Sequence, residues 1–233
     1  MVLARLWPDC LPYATLLICL LGLTRRLGRW FLAKPATSPL FPCPSAAPAG
    51  WRRLAVEVCL LRGVHAAEPG LWLGAWPLHV ALGGIAIGHI RAFVDFPGLW
   101  QALDLGPEHL DNLAGAAGGV VGLTALLACL YLLARRILVR RMREITRAQD
   151  IWTLLLLLAV ILSGNAMRWG PAVDLEPIRA YFAALARFSP GPMPDMPGFA
   201  VHFLLAQVLL LWVPFGKLLH APGLFLAKDG LLR

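Results

Sequence analysis

Residues 77–93 read PLHVALGGIAIGHIRAF, and residues 201–220 read VHFLLAQVLLLWVPFGKLLH. Each stretch is apolar enough to cross a bilayer, and each carries two histidines: His79 and His89 in one, His202 and His220 in the other. An ionisable group inside a membrane span is expensive and marks function by default. Two histidine pairs on two spans therefore decide the reading. Imidazole is an axial ligand of haem iron, and one ligand from each of two facing helices completes the coordination. The stretches point to two metal centres stacked across a membrane.

The rest of the chain agrees. Its hydrophobic fraction is 59% and only 15% is charged, where a soluble domain carries about a quarter. Spans need about 20 mostly apolar residues. Five candidates fall at about 6–24, 71–94, 113–134, 151–169 and 199–220, with Pro214 inside the last. The expected fold is an all-α membrane protein, a five-helix transmembrane bundle forming one domain over 1–233. The first segment lacks a strong basic start and an A-x-A site, so it reads as a retained span and not a cleaved signal.

Basic residues set the orientation. Those after spans one and three and in the tail number sixteen, against Arg5, Arg91, Arg168, Arg179 and Arg187 on the other side. The rule that positive loops stay inside puts the N-terminus outside and the C-terminus in the cytoplasm. The net charge of +8 follows this topology, and no nucleic-acid-binding motif accompanies it. Residues 51–66, WRRLAVEVCLLRGVHA, read as an amphipathic helix on the inner face, suited equally to lipid or to a soluble partner. Residues 186–198 carry four prolines and exclude a helix. None of the five cysteines forms C-x-x-C, so any haem is noncovalent and any iron–sulfur cluster belongs to a partner.

Helical geometry pairs the histidines. His79 and His89 differ by about 15 Å in height and about 80° around the axis, while His202 and His220 share a face and differ by about 27 Å. Antiparallel spans match His79 with His220 near the inner side and His89 with His202 near the outer side. The two separations disagree by about 12 Å, which tilt, the Pro214 kink or unwinding near His220 must absorb. Imidazole also suits zinc and copper, but no carboxylate or thiolate joins the histidines at either level. Gly74, Gly83, Gly84 and Gly88 serve either haem approach or helix packing.

Other polar residues carry two readings each. Glu108 and His109, outside span two, are candidate proton acceptors for an oxidised quinol, or solvated loop residues. Arg91 suits a haem propionate or snorkels to water. Lys217 is a propionate partner or a cytoplasmic anchor. Asn165 suits helix packing or a haem edge, His65 a surface position, and the arginines at 135–147 a topology signal or an acidic partner's docking surface.

The 77–93 stretch with H-x9-H, and 201–226 with H-x17-H and its PFGKLLH ending, resemble the second and fifth spans of the respiratory nitrate reductase gamma subunit. LAVEVCLLRG (54–63), LYLLARRILVRRMREIT (130–146), AMRW (166–169) and PFGKLLHAPGLFL (214–226) bring the chain closer to the DsrM-type cytochromes of dissimilatory sulfite reduction. The resemblance covers most of residues 50–228. It implies a five-span cytochrome b of the bacterial cytoplasmic (inner) membrane holding two haems b, on His79, His220, His89 and His202. It implies exchange with quinol or menaquinol near the outer haem, and a cytoplasmic iron–sulfur subunit that takes the electrons, in sulfur-compound metabolism or, alternatively, in a nitrate reductase. The nitrate reductase subunit carries a lysine after its second span that is implicated in quinol binding. This chain has Pro107, Glu108 and His109 in that region, so a quinol would need another polar group. A haem-free membrane anchor or metal transporter is the reading of a different class.

Overall fold

The computed structural model describes residues 2–32, 51–170 and 173–219, and every regular element among them is helical. The helices are α1 (Val2–Leu32), α2 (Trp51–Leu60), α3 (Arg62–Ala67), α4 (Pro69–Phe93), α5 (Pro97–Ala102), α6 (Pro107–Leu138), α7 (Arg140–Ile145), α8 (Ala148–Trp169), α9 (Leu175–Ala186) and α10 (Pro197–Trp212). A single 3₁₀ turn, Lys217–Leu219, follows. Four segments are long and apolar enough to cross a membrane: Pro8–Arg29, Pro69–Phe93, Pro107–Leu138 and Ala148–Trp169. The chain is a multi-pass membrane protein.

The helices pack as a sequence of neighbours. α6 lies between α4 and α8, α8 packs on α10, and α10 packs on α1. The α4–α6–α8 seam buries Leu78, Ala81, Ala125, Ala128, Cys129, Leu157 and Ile161. Small residues let the backbones approach, as van der Waals packing in a membrane requires. A Cβ at Gly122 would lie 2.1 Å from Asn165 Oδ1, and Asn165 Nδ2 donates to the Gly122 carbonyl at 3.1 Å. Asn165 is thus a packing residue between α8 and α6.

The fifth expected span differs from the reading at 199–220. Regular helix stops at Trp212, leaving α10 with 16 residues, or about 24 Å. Pro214 has no N–H to continue the ladder, and residues 213–216 turn instead. The carbonyls so freed are taken up by other elements. Arg26 of α1 donates to Pro214 O at 2.9 Å and Gly216 O at 2.7 Å, and Gln149 donates to Phe215 O at 3.3 Å. Gly22 makes this possible, because a Cβ there would stand 2.6 Å from Pro214 Cβ. The 27 Å separation expected for a continuous helix therefore applies only as far as Trp212.

The amphipathic segment also departs from a single helix over 51–66. It breaks at Leu61, which adopts a left-handed conformation with φ 48°. Such a residue costs energy unless its surroundings hold it. Here the indoles of Trp72 and Trp76 donate to the Leu60 and Cys59 carbonyls at 2.8 and 3.0 Å. These are two of the carbonyls that the end of α2 leaves without helical partners.

Beyond α8, between the fourth and fifth expected spans, lies α9. Its apolar face, Ile178, Tyr181 and Leu185, is buried against Phe199 and Phe203 of α10. Pro12 in α1 cannot donate to the Pro8 carbonyl, four residues earlier. The Tyr181 hydroxyl donates to that carbonyl at 2.7 Å, and Tyr13 of α1 returns a hydrogen bond to Leu185 O at 2.9 Å.

Candidate haem-binding site

α4 carries His79 and His89, and each ring is fixed by its own helix. His79 Nδ1 lies 2.6 Å from Ala75 O and His89 Nδ1 lies 2.7 Å from Ile85 O, both one turn back. A carbonyl only accepts, so Nδ1 carries the proton in each ring, and the lone pair falls on Nε2. α10 carries His202, whose Nδ1 meets Ser163 Oγ of α8 at 2.9 Å.

The fold brings two of these rings together. The His89 and His202 ring centroids are 6.1 Å apart, with planes inclined by 27°. The rings are stacked, and their separation is within the reach of two imidazoles that would share one metal through bonds of about 2.0–2.1 Å. The donor chemistry therefore fits haem iron, whose other four ligands come from the porphyrin. Among the described residues no group of three or more His, Cys, Asp or Glu could hold a metal ion. His220 lies outside the described residues, as does any contact it makes with His79. The expected glycines divide: Gly74 and Gly84 are filled by Tyr131, Leu132 and Val121, whereas a Cβ on Gly83 or Gly88 would meet nothing within 4 Å.

Charged groups gather at the C-terminal end of α4. Arg91 pairs with Asp111 of α6 at 3.1 Å, and its backbone carbonyl accepts from Arg179 of α9 at 3.3 Å. Its Nε is buried without a hydrogen-bond partner, a costly state that a carboxylate acceptor would relieve. Asp95, just past α4, accepts from the Trp100 indole at 2.9 Å. That bond, the Phe96 N–H and the nearby Arg179 and Arg91 hold its carboxyl below the usual range. Glu108 and His109 are exposed in the first turn of α6, two to three residues before Asp111.

At the start of α8 Lys217 Nζ lies 2.7 Å from Asp150 Oδ1, and Arg136 lies 3.6 Å from Oδ2. Asp150, only 4% exposed at its side chain, also caps α8 by accepting from Arg147 N–H at 3.1 Å. Lys217 thus anchors the turn after α10 to α8. His65 is exposed, as expected, and packs edge-on against Trp72 with centroids 4.9 Å apart. The Ser163 contact, the Asp150 hub and Gly164, where a Cβ would lie 3.1 Å from His202 Cε1, all depend on helix register. No local motif signals them.

The family model described as nitrate reductase gamma subunit matches residues 66–228, which includes both histidine spans. This chain belongs to that family. Among relatives, it is 35% identical to an Hdr-like menaquinol oxidoreductase cytochrome b-like subunit of Archaeoglobus fulgidus, over 66% of this chain and 48% of that one. The corresponding subunit of Archaeoglobus profundus is 30% identical over the same shares. The nitrate reductase gamma chain of Bacillus subtilis is 27% identical over 73% of this chain and 77% of its own length. The chain spans about half the length of the archaeal relatives. Its relatives are named as cytochrome b-like or gamma subunits of membrane oxidoreductases.

Proposed function

We propose that this chain is the dihaem electron-transfer subunit of a quinol oxidoreductase complex in the cytoplasmic (inner) membrane. The observation that carries the reading is the meeting of His89 and His202 at 6.1 Å, between spans of opposite direction. In this reading His89 and His202 hold the outer haem b, and His79 and His220 hold the inner one. Bound there, haem iron supplies a one-electron relay in each half of the membrane.

The chain's own residues supply the surroundings. Ala75, Ile85 and Ser163 orient the three described rings through Nδ1. Arg91, with its unpaired buried Nε, receives a propionate of the outer group through a charge-assisted bond. Lys217, held to Asp150, serves the inner end as an anchor and as a partner for a propionate there. Glu108 and His109 stand exposed on the outer side, where oxidised quinol releases two protons, and act as acceptors. The names of the archaeal relatives favour menaquinol as donor. Electrons leave on the cytoplasmic side to an iron–sulfur partner subunit, in sulfur-compound metabolism.

The test is pyridine haemochrome quantitation with a reduced-minus-oxidised spectrum of the purified complex. Two b haems per chain, falling to one in His89→Ala, are expected. A haem-free wild-type chain, produced with its partners and ample haem, would overturn the reading and leave a membrane anchor or metal transporter.

A further inference from the structure

Three described histidines engage Nδ1, but not in the same way. His79 and His89 use carbonyls of their own helix, one turn back. Such a contact turns with the helix and says nothing of its neighbours. His202 instead meets a side chain of another helix, Ser163 of α8.

The hydroxyl has one proton, and its destination can be read. Ser163 Oγ lies 2.9 Å from the Val160 carbonyl, which only accepts. Both contacts are hydrogen bonds at once when the Ser163 proton goes to Val160 and Oγ accepts from the ring. In that arrangement His202 Nδ1 is the protonated nitrogen, with the lone pair on Nε2. The neighbouring residue completes the cradle. Gly164 has no side chain, and a Cβ there would press on His202 Cε1 at 3.1 Å. Serine and glycine in succession thus hold one edge of the ring and leave room for it.

A second contact fixes the register in which this happens. The Trp212 indole donates to the Thr153 hydroxyl at 2.8 Å. Ser163 and Thr153 are ten residues apart on α8, as are His202 and Trp212 on α10. Two hydroxyls on one helix therefore meet two ring N–H groups on its antiparallel neighbour. The outer contact is part of the α8–α10 packing and not a chance approach.

We propose that Ser163 is a positioning residue for His202: its hydroxyl accepts the Nδ1 proton, fixes the tautomer and presents Nε2 to the outer haem. This rests on the dihaem reading above. A hydrogen bond accepted from the far nitrogen raises a ligand's basicity, and losing such a partner typically costs about 10–100-fold in metal affinity. A more basic imidazole favours ferric over ferrous iron. Removing the hydroxyl therefore raises the reduction potential of the outer haem and leaves the inner haem unchanged.

The experiment compares wild type, Ser163→Ala and Ser163→Thr in the purified complex, by potentiometric titration and electron paramagnetic resonance of each haem. Ser163→Ala should raise the outer potential, move the outer low-spin ferric signal and weaken outer haem retention about tenfold or more. Ser163→Thr, which keeps the hydroxyl, should restore both signatures. An Ala variant that keeps two haems with wild-type potentials and spectra overturns the inference while the dihaem reading stands. If the Ala variant loses both haems by misfolding, the Thr variant decides. A wild-type outer haem there supports the role, and a shifted outer potential with the hydroxyl in place overturns it. A wild-type chain without haem overturns both readings.

Discussion

Tyr181 shows how one side chain repairs a defect written elsewhere in the sequence. Pro12 deprives the Pro8 carbonyl of its helical donor, and the Tyr181 hydroxyl takes its place at 2.7 Å. Tyr181→Phe keeps the ring packing against Phe199 and Phe203 and removes only the donor. Leaving a buried carbonyl unsatisfied costs about 1–3 kcal/mol, which thermal unfolding in detergent measures. The hydroxyl also titrates late. Burial first, then the charge on Asp9 and the neighbouring Tyr13, push it up to about 12 from an ordinary 10.0. A proton bound more tightly in the folded state stabilises it below pH 10, and this contribution fades as pH rises from 10 to about 12. Wild type should accordingly lose stability over that window by more than Tyr181→Phe, and an equal loss in both would refute the assignment. Histidine positions could be read from the sequence because a titratable group stands out in an apolar span. The partners of Tyr181, His202 and Asp150 could not, because each lies on another helix whose register no local pattern reveals.

At the scale of the element, the ends of helices carried most of the surprise. Apolar runs located α4, α6 and α8 to within a few residues of their interiors, since burial and membrane thickness fix both composition and length. α9 was hidden because its apolar face is only one stripe, Ile178, Tyr181 and Leu185. Its Pro177 also reads as a breaker, although proline is tolerated in the first turn. α10 was over-extended for the converse reason. Hydrophobicity continues through Val213, Phe215, Leu218 and Leu219, while Pro214 ends the ladder. The end of α10 depends on α1 for its carbonyl partners and on Gly22 for space. Gly22→Val should force Pro214 away from α1 and strain both Arg26 bonds, losing about 1–3 kcal/mol by overpacking. In the dihaem reading proposed above, the displaced turn precedes His220 in the sequence, so the same variant should lower retention of the inner haem more than the outer. Separate quantitation of the two haems by redox titration measures this. Selective loss of the outer haem would contradict the coupling.

For the whole molecule, the paired heights of the histidines have meaning only if α4 and α10 run in opposite directions across the bilayer. The charge pattern supplies that direction. Arg135, Arg136, Arg140, Arg141, Arg143 and Arg147 crowd the α6–α8 connection, while Asp95, Asp104, Glu108 and Asp111 mark the α4–α6 connection and Asp174, Glu176 and Asp195 the α8–α10 connection. Short basic loops stay in the cytoplasm, whereas acidic residues carry little weight. In the orientation we propose from this rule, the N-terminus of α1 lies outside, and α4 rises outward from His79 to His89. The ion pairs fit this polarity: Asp150 gathers Lys217 and Arg136 at the basic end, and Asp111 meets Arg91 at the other. Dual reporter fusions test the frame. An alkaline phosphatase joined after residue 104 or 190 should be active, one joined after residue 143 inactive, and a fluorescent protein at 143 bright. The reverse pattern would place the His89–His202 pair on the cytoplasmic side. Proton release from Glu108 and His109 would then fall on the same side as the proposed electron acceptor, and quinol oxidation by this route would not separate charge across the membrane. The orientation therefore decides whether electron transfer through the chain is electrogenic.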